Sequence, residues 1–310
     1  MKQWCIGALM VLTLMTVEAR AKQETIAADR LSVVTTVFPA YDFTREIAGS
    51  AVSVSILLPP GAESHSFEPT PQDIIRIQNS ALFICVGGES ESWVERVLSS
   101  MDTSRMRIVR MMDCVQTLEE EMVEGMQAED EEEELAYDEH VWTSPRNAIG
   151  IVEQITAALA ALDTQNAAVY QQRAAAYRTE LVALDTAFRD AVASGTRKTI
   201  VFGDRFPFRY LAEEYGLSYF AAFPGCSTET EASAGTVAFI IRKIREEHIP
   251  VIFHIELSNE RMADMISEET GAAKRLLHAC HNISKREFDQ GYTYLELMNQ
   301  NVINLREALR

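Results

Sequence analysis

Short runs of β-branched and apolar residues alternate along this chain with stretches in which apolar positions recur every three or four residues. The runs at 31–37, 52–58, 82–86 and 106–110 have the length and composition of strands. Glycine and proline end them, most clearly at Pro59-Pro60-Gly61 and Gly87-Gly88. Between them, 39–47 and 93–98 read as helices, and Thr70 opens another with Pro71 in its first turn and Asp73 in the capping-box position. Strand, loop and helix in this order predict a parallel sheet with helices on both faces.

From Pro145 the period becomes helical. Ile149, Val152, Ile155, Ala158, Leu159 and Leu162 fall on one stripe, and Ser144 can cap the helix they belong to. A second helical run, 167–193, holds neither glycine nor proline. It would be about 40 Å long at ~1.5 Å per residue, long enough to join two lobes. After Gly195 the first rhythm returns, with strands at 198–202, 218–222, 251–255 and 275–277 and helices at 208–215, 232–247, 260–270 and 294–309. The expected fold class is α/β: two similar lobes with parallel sheets, 22–163 and 195–310, joined by a rigid backbone helix at 166–194. Residues 119–139 break the pattern. The run 129–134 is entirely acidic, and like charges this dense predict a mobile, solvated loop, with collection of cations beside a cleft as the sharper alternative.

The first 21 residues predict a processing signal rather than structure. A basic start, a mostly apolar run at 4–17 and Ala19-Arg20-Ala21 form a signal peptide cleaved near Ala21, and the apolar run is short for a membrane span. Export to the periplasm follows. Cys5 lies at the front of the apolar run rather than behind it and is not placed for lipid attachment. Of the remaining cysteines, Cys85 reads as a buried strand residue, whereas Cys226 and Cys280 lie in loop-like segments and could pair in an oxidising compartment. The formal charge of −18 argues against nucleic-acid or anionic-membrane partners.

Two segments carry the chemistry: His65-Ser66-Phe67-Glu68-Pro69-Thr70-Pro71, and Asp138-Glu139-His140-Val141-Trp142. Each presents an imidazole just ahead of a helix start, half of a transition-metal site. Both motifs resemble the first two ligand segments of the zinc/manganese solute-binding proteins of ABC transporters (cluster A-I), and the resemblance spans nearly the whole mature chain. It implies a two-lobed receptor with a metal in the cleft, a membrane permease, and a cytoplasmic ATPase. This chain has no G-x-x-x-x-G-K-[ST] loop of its own. A monomer with small hinge motions is expected.

The resemblance implies two further ligands from the second lobe. Relatives carry a histidine where this chain has Asp204, in Gly203-Asp204-Arg205-Phe206-Pro207-Phe208-Arg209-Tyr210. Asp204 is either an oxygen ligand or one partner of an ion pair with Arg205 or Arg209. Relatives carry an aspartate after the last short strand, where this chain places His278, with His281 the alternative. Glu256 could ligate or support a histidine. The expected set is therefore His65, His140, Asp204 and His278, binding Zn2+. A more carboxylate-rich set would leave Mn2+ or Fe2+ open. The rivals are a zinc hydrolase, which would need an open metal position and a carboxylate base, and an exported adhesin with a structural metal. No H-E-x-x-H is present, and the chain is read as a non-enzyme. Because histidine ligates only when neutral, affinity should fall as pH drops below ~6.5.

Overall fold

The computed structural model describes residues 30–63, 67–126, 136–227 and 231–310. The expected signal peptide, His65 and the acidic run 129–134 lie outside these residues.

The first half is a four-stranded, all-parallel sheet in the order β2-β1-β3-β4, built from β1 (Leu31–Thr35), β2 (Val52–Ile56), β3 (Leu82–Cys85) and β4 (Arg107–Arg110). Every residue of β3 is buried, as a strand covered on both faces must be. Helices α1 (Phe38–Ala48), α2 (Pro71–Gln78) and α3 (Ser92–Ser99) connect these strands. Thr70 and Asp73 form the expected capping box on α2.

Helices α4 (Pro145–Leu162) and α5 (Ala167–Ala193) follow. Ser144 Oγ accepts the Asn147 N–H at the start of α4, with Pro145 in the first turn. On α5, Tyr170, Ala174, Tyr177, Leu181, Leu184 and Phe188 are buried at alternating spacings of four and three, a single helical face. That face packs on α1 through Phe43 and Tyr177, and farther along it stacks Phe188 on Tyr215 of the second half.

The second half repeats the strand pattern. β5 (Thr199–Val201) pairs in parallel with β7 (Ser218–Phe220), a bridge joins Phe202 to Phe253, and β9 (Val251–His254) pairs in parallel with β10 (Ala273–Leu276). The lateral order β7-β5-β9-β10 thus matches that of the first sheet. A short parallel pair, β6 (Arg205–Phe206) and β8 (Phe223–Pro224), lies beyond β5. Helices α6 (Arg209–Tyr215), α7 (Ala234–Glu246), α8 (Arg261–Thr270), α9 (Lys285–Gln290) and α10 (Tyr294–Ala308) complete the chain. The principal apolar core runs from Val33 through α4 and α5 to Leu309.

Two details differ from expectation. The described ends of the acidic segment are fastened rather than loose: Glu119 and Tyr137 form an antiparallel bridge, and Asp138 N–H donates to Leu118 O at 2.9 Å. The four described cysteines are free thiols, so Cys226 and Cys280 do not pair. Cys280 is buried with Sγ facing His278 O, while the Cys226 backbone is held by Glu120 Oε1 in a different, carboxylate-rich environment.

Asp42 links α1 to the C-terminal helix. Its carboxylate is buried and accepts the Tyr294 N–H at 2.8 Å. Burial pushes its pKa up to about 6, against the opposing pull of the Tyr294 N–H and Arg45. A carboxyl with a raised folded pKa contributes stability at low pH that is lost as pH climbs through the folded value. Between pH 4 and pH 7, wild type should therefore lose up to about 3 kcal/mol relative to Asp42→Asn. Urea unfolding at both pH values measures this, and parallel pH dependences would refute it.

Candidate metal centre

The candidate residues gather where chains leave the C-terminal ends of strands, the edge at which open α/β sheets bind ligands. Residues 59–63 follow β2, Asp204 follows β5, Glu256 follows β9, and His278 and His281 follow β10. His140 arrives by the fastened loop after β4.

His140 is fully buried and held by its own motif. Asp138 Oδ1 accepts the His140 N–H at 2.7 Å and lies 3.2 Å from Nδ1. An aspartate bonding the backbone two residues on is a standard turn device. Here it also leaves Nε2 as the nitrogen turned away from the carboxylate. Gly225 makes room for this pair, since a Cβ there would stand 3.0 Å from Asp138 Oδ2. Burial lowers the His140 pKa, but Asp138, followed by Glu139 and Glu120, raises it further, and the net shift is upward. A metal held by His140 would have to displace that proton. Zinc affinity should therefore begin to fall at a pH above the ordinary histidine range, and Asp138→Asn should move the onset lower. Titrations between pH 5 and pH 8 measure the onset, and an unchanged one would refute the role of Asp138.

His281 meets His140 edge to face, with ring centroids 5.1 Å apart, and Trp142 packs 5.1 Å from His281 and 5.6 Å from His140. The two imidazoles line a cavity of about 30 Å³ together with Glu63, Arg205, Glu256 and Asn282. That volume suits a single ion or water. Trp142 Nε1 donates to Ala279 O at 2.7 Å and ties the two histidine segments together.

The other expected ligands sit differently. His278 is buried but does not line the cavity. Its Nδ1 accepts the Cys280 N–H at 2.9 Å, and Asn301 brackets its backbone. Asp204 spends its carboxylate on the N–H groups of Arg205 (2.9 Å) and Ile255 (3.4 Å). Arg205 and Arg209 form ion pairs with other carboxylates: Arg205 with Glu63 at 3.3 Å, Arg209 with Glu213 at 2.9 Å. Glu256 accepts the N–H groups of Ala279 (2.6 Å) and His281 (3.0 Å), so it shapes the histidine loop from β9. Cys280 takes a left-handed φ of 60°, which turns the chain between His278 and His281. Among the described residues, no group of three or more His, Cys, Asp or Glu side chains is gathered closely enough to hold a metal ion.

Sequence reasoning missed Glu63 and Asn282 as cavity residues and named Arg205 only as a partner for Asp204. Of the two missed, Glu63 alone carried a signal, its position two residues before His65.

Over residues 33–308 the chain matches the family described as ZnuA, zinc-uptake complex component A, periplasmic. It is 34% identical over 283 residues to the high-affinity zinc uptake system protein ZnuA of Bacillus subtilis, covering 91% of this chain and 88% of that protein. It is 30% identical over 286 residues to the zinc-binding lipoprotein AdcA of Streptococcus pneumoniae, covering 91% of this chain but 56% of that longer protein. The Zn(II)-bound ZnuA-like domain of Streptococcus pneumoniae AdcA aligns with a TM-score of 0.74 at 28% identity, covering 90% of this chain and 99% of that domain.

Proposed function

We propose, from the premise that this chain belongs to the ZnuA family of periplasmic zinc-uptake components, that it is the receptor that captures Zn2+ and delivers it to an ABC permease. One observation carries the reading at this site: the rings of His140 and His281, from opposite halves of the chain, face one ion-sized cavity. We assign His65, His140 and His281 as the ligands. His65 is assigned on its motif, two residues beyond the cavity residue Glu63. Asp204 and His278 are left out of this set, because neither lines the cavity and both Asp204 carboxylate oxygens and His278 Nδ1 accept backbone N–H groups. Glu256 is assigned to holding the His281 loop.

Three imidazoles favour zinc over manganese, a harder cation that prefers oxygen. Binding between the 22–163 and 195–310 lobes, across the 166–194 helix, would fix their mutual orientation. Export with cleavage near Ala21, a monomer, and a permease with its ATPase complete the proposal. No residue is given a catalytic role; the chemistry is capture and release.

X-ray absorption at the zinc edge tests the ligand set. Imidazole scattering with Zn–N near ~2.0–2.1 Å is expected. A shell near ~2.3 Å would mark thiolate and bring Cys280 into the site instead.

A further inference from the structure

The loop that precedes His65 is gripped by a residue of the other half. Pro59, Pro60, Gly61 and Ala62 form a tight turn, closed by Ala62 N–H on Pro59 O at 3.0 Å. Proline followed by Gly61 at φ +87° is the signature of a type II turn, a backbone that a side chain at Gly61 would strain. The two carbonyls at the ends of this turn meet one amide. Asn282 Nδ2 donates to Pro59 O at 2.8 Å and to Ala62 O at 2.9 Å. Its Oδ1 accepts the Ile283 N–H at 2.9 Å, and Ile283 O in turn accepts the Gly61 N–H at 2.8 Å. Asn282 is 2% exposed, so water is poorly placed to replace these bonds.

We propose that Asn282 is a positioning residue: its carboxamide clasps the 59–62 turn to the loop carrying His281 and thereby sets the spacing of the metal-binding segments from the two halves. The effect on zinc rests on the receptor reading above; the clasp itself does not. The chemistry selects asparagine. Two donors are needed for two carbonyls and one acceptor for an N–H, and a neutral carboxamide of this length supplies all three. Aspartate would set an anionic oxygen against both carbonyls, and alanine would leave Ala62 O without its partner. Glu256 independently grips the same loop, at Ala279 and His281, so without Asn282 the His281 side of the cavity stays ordered while the 59–62 side is released.

The test uses metal-stripped wild type, Asn282→Ala and the isosteric Asn282→Asp. Amide exchange at Gly61 should rise about tenfold or more in both variants while α1 and α10 keep their protection, the pattern of local opening. Unchanged exchange at Gly61 would overturn the clasp whatever the metal does. Zinc affinity should fall about 10- to 100-fold, as for other residues that orient ligands. The visible spectrum of the cobalt-substituted protein should lose tetrahedral intensity, which a purely structural loss would not cause. Faster exchange with unaltered zinc affinity and cobalt spectrum would overturn the positioning role. Failure of wild type to bind zinc would count against the receptor reading alone, and exchange would still decide the clasp.

Discussion

Replacing His281 with alanine should weaken zinc binding by about 100- to 1,000-fold. Zinc sites built from a few side chains hold the ion by roughly 10–16 kcal/mol, so one ligand of three or four is worth about 3–4 kcal/mol. His278→Ala is the matched control. His278 is buried in the same loop, yet its ring bonds the Cys280 N–H and does not line the cavity. Its removal should lower unfolding stability and leave zinc affinity within a few-fold of wild type. Chelator-competition titrations of both variants separate the two histidines. The reverse pattern, with affinity lost at His278 and kept at His281, would show that the metal selects the other register of this loop.

The second large effect is expected at Trp142. The side chain is fully buried, packs on both cavity histidines, and donates from Nε1 to Ala279 O. Trp142→Ala should cost about 3–5 kcal/mol of unfolding free energy, the range for emptying a large aromatic site. Trp142→Phe retains most of the packing but leaves a buried carbonyl short of its donor, and should cost about 1–3 kcal/mol. Denaturant unfolding of the metal-stripped proteins measures both. Equal losses would mean that the bond to Ala279, not the packing, dominates. A loss under about 1 kcal/mol for alanine would mean that the segment refills the space, contrary to the close-packed junction described above.

The features legible in the sequence were those set by local spacing. The D-x-H segment encodes its own geometry, because an aspartate two residues before a histidine can bond that residue's N–H, as Asp138 does for His140. The Thr70–Asp73 box, the Ser144 cap and the apolar stripe of α4, of which Val152, Ile155, Ala158 and Leu159 are buried, are likewise properties of a few adjacent turns. Helix α9 carried the same kind of signal, a Ser284–Glu287 capping box, and was overlooked. The two-residue strands β6 and β8 are too short for any period to mark them.

Which of His278 and His281 lines the cavity is not a local property. Spacing after β10 is compatible with either histidine facing the cavity. The choice follows from Glu256, which arrives from β9 to capture the Ala279 and His281 N–H groups, and from the left-handed turn at Cys280. Those constraints exist only once β9 and β10 are paired. The same loop explains the absent disulfide, since it commits Cys280 to the buried core rather than toward Cys226.

The central claim is that this chain is a nitrogen-rich zinc receptor. Its most direct test is a competitive titration of metal-stripped protein with zinc and manganese at neutral pH and physiological salt, repeated with His65→Ala. The account predicts one zinc ion bound tightly per chain, resistant to a large excess of manganese and lost in the variant. Displacement by manganese, or zinc binding indifferent to His65, would contradict it.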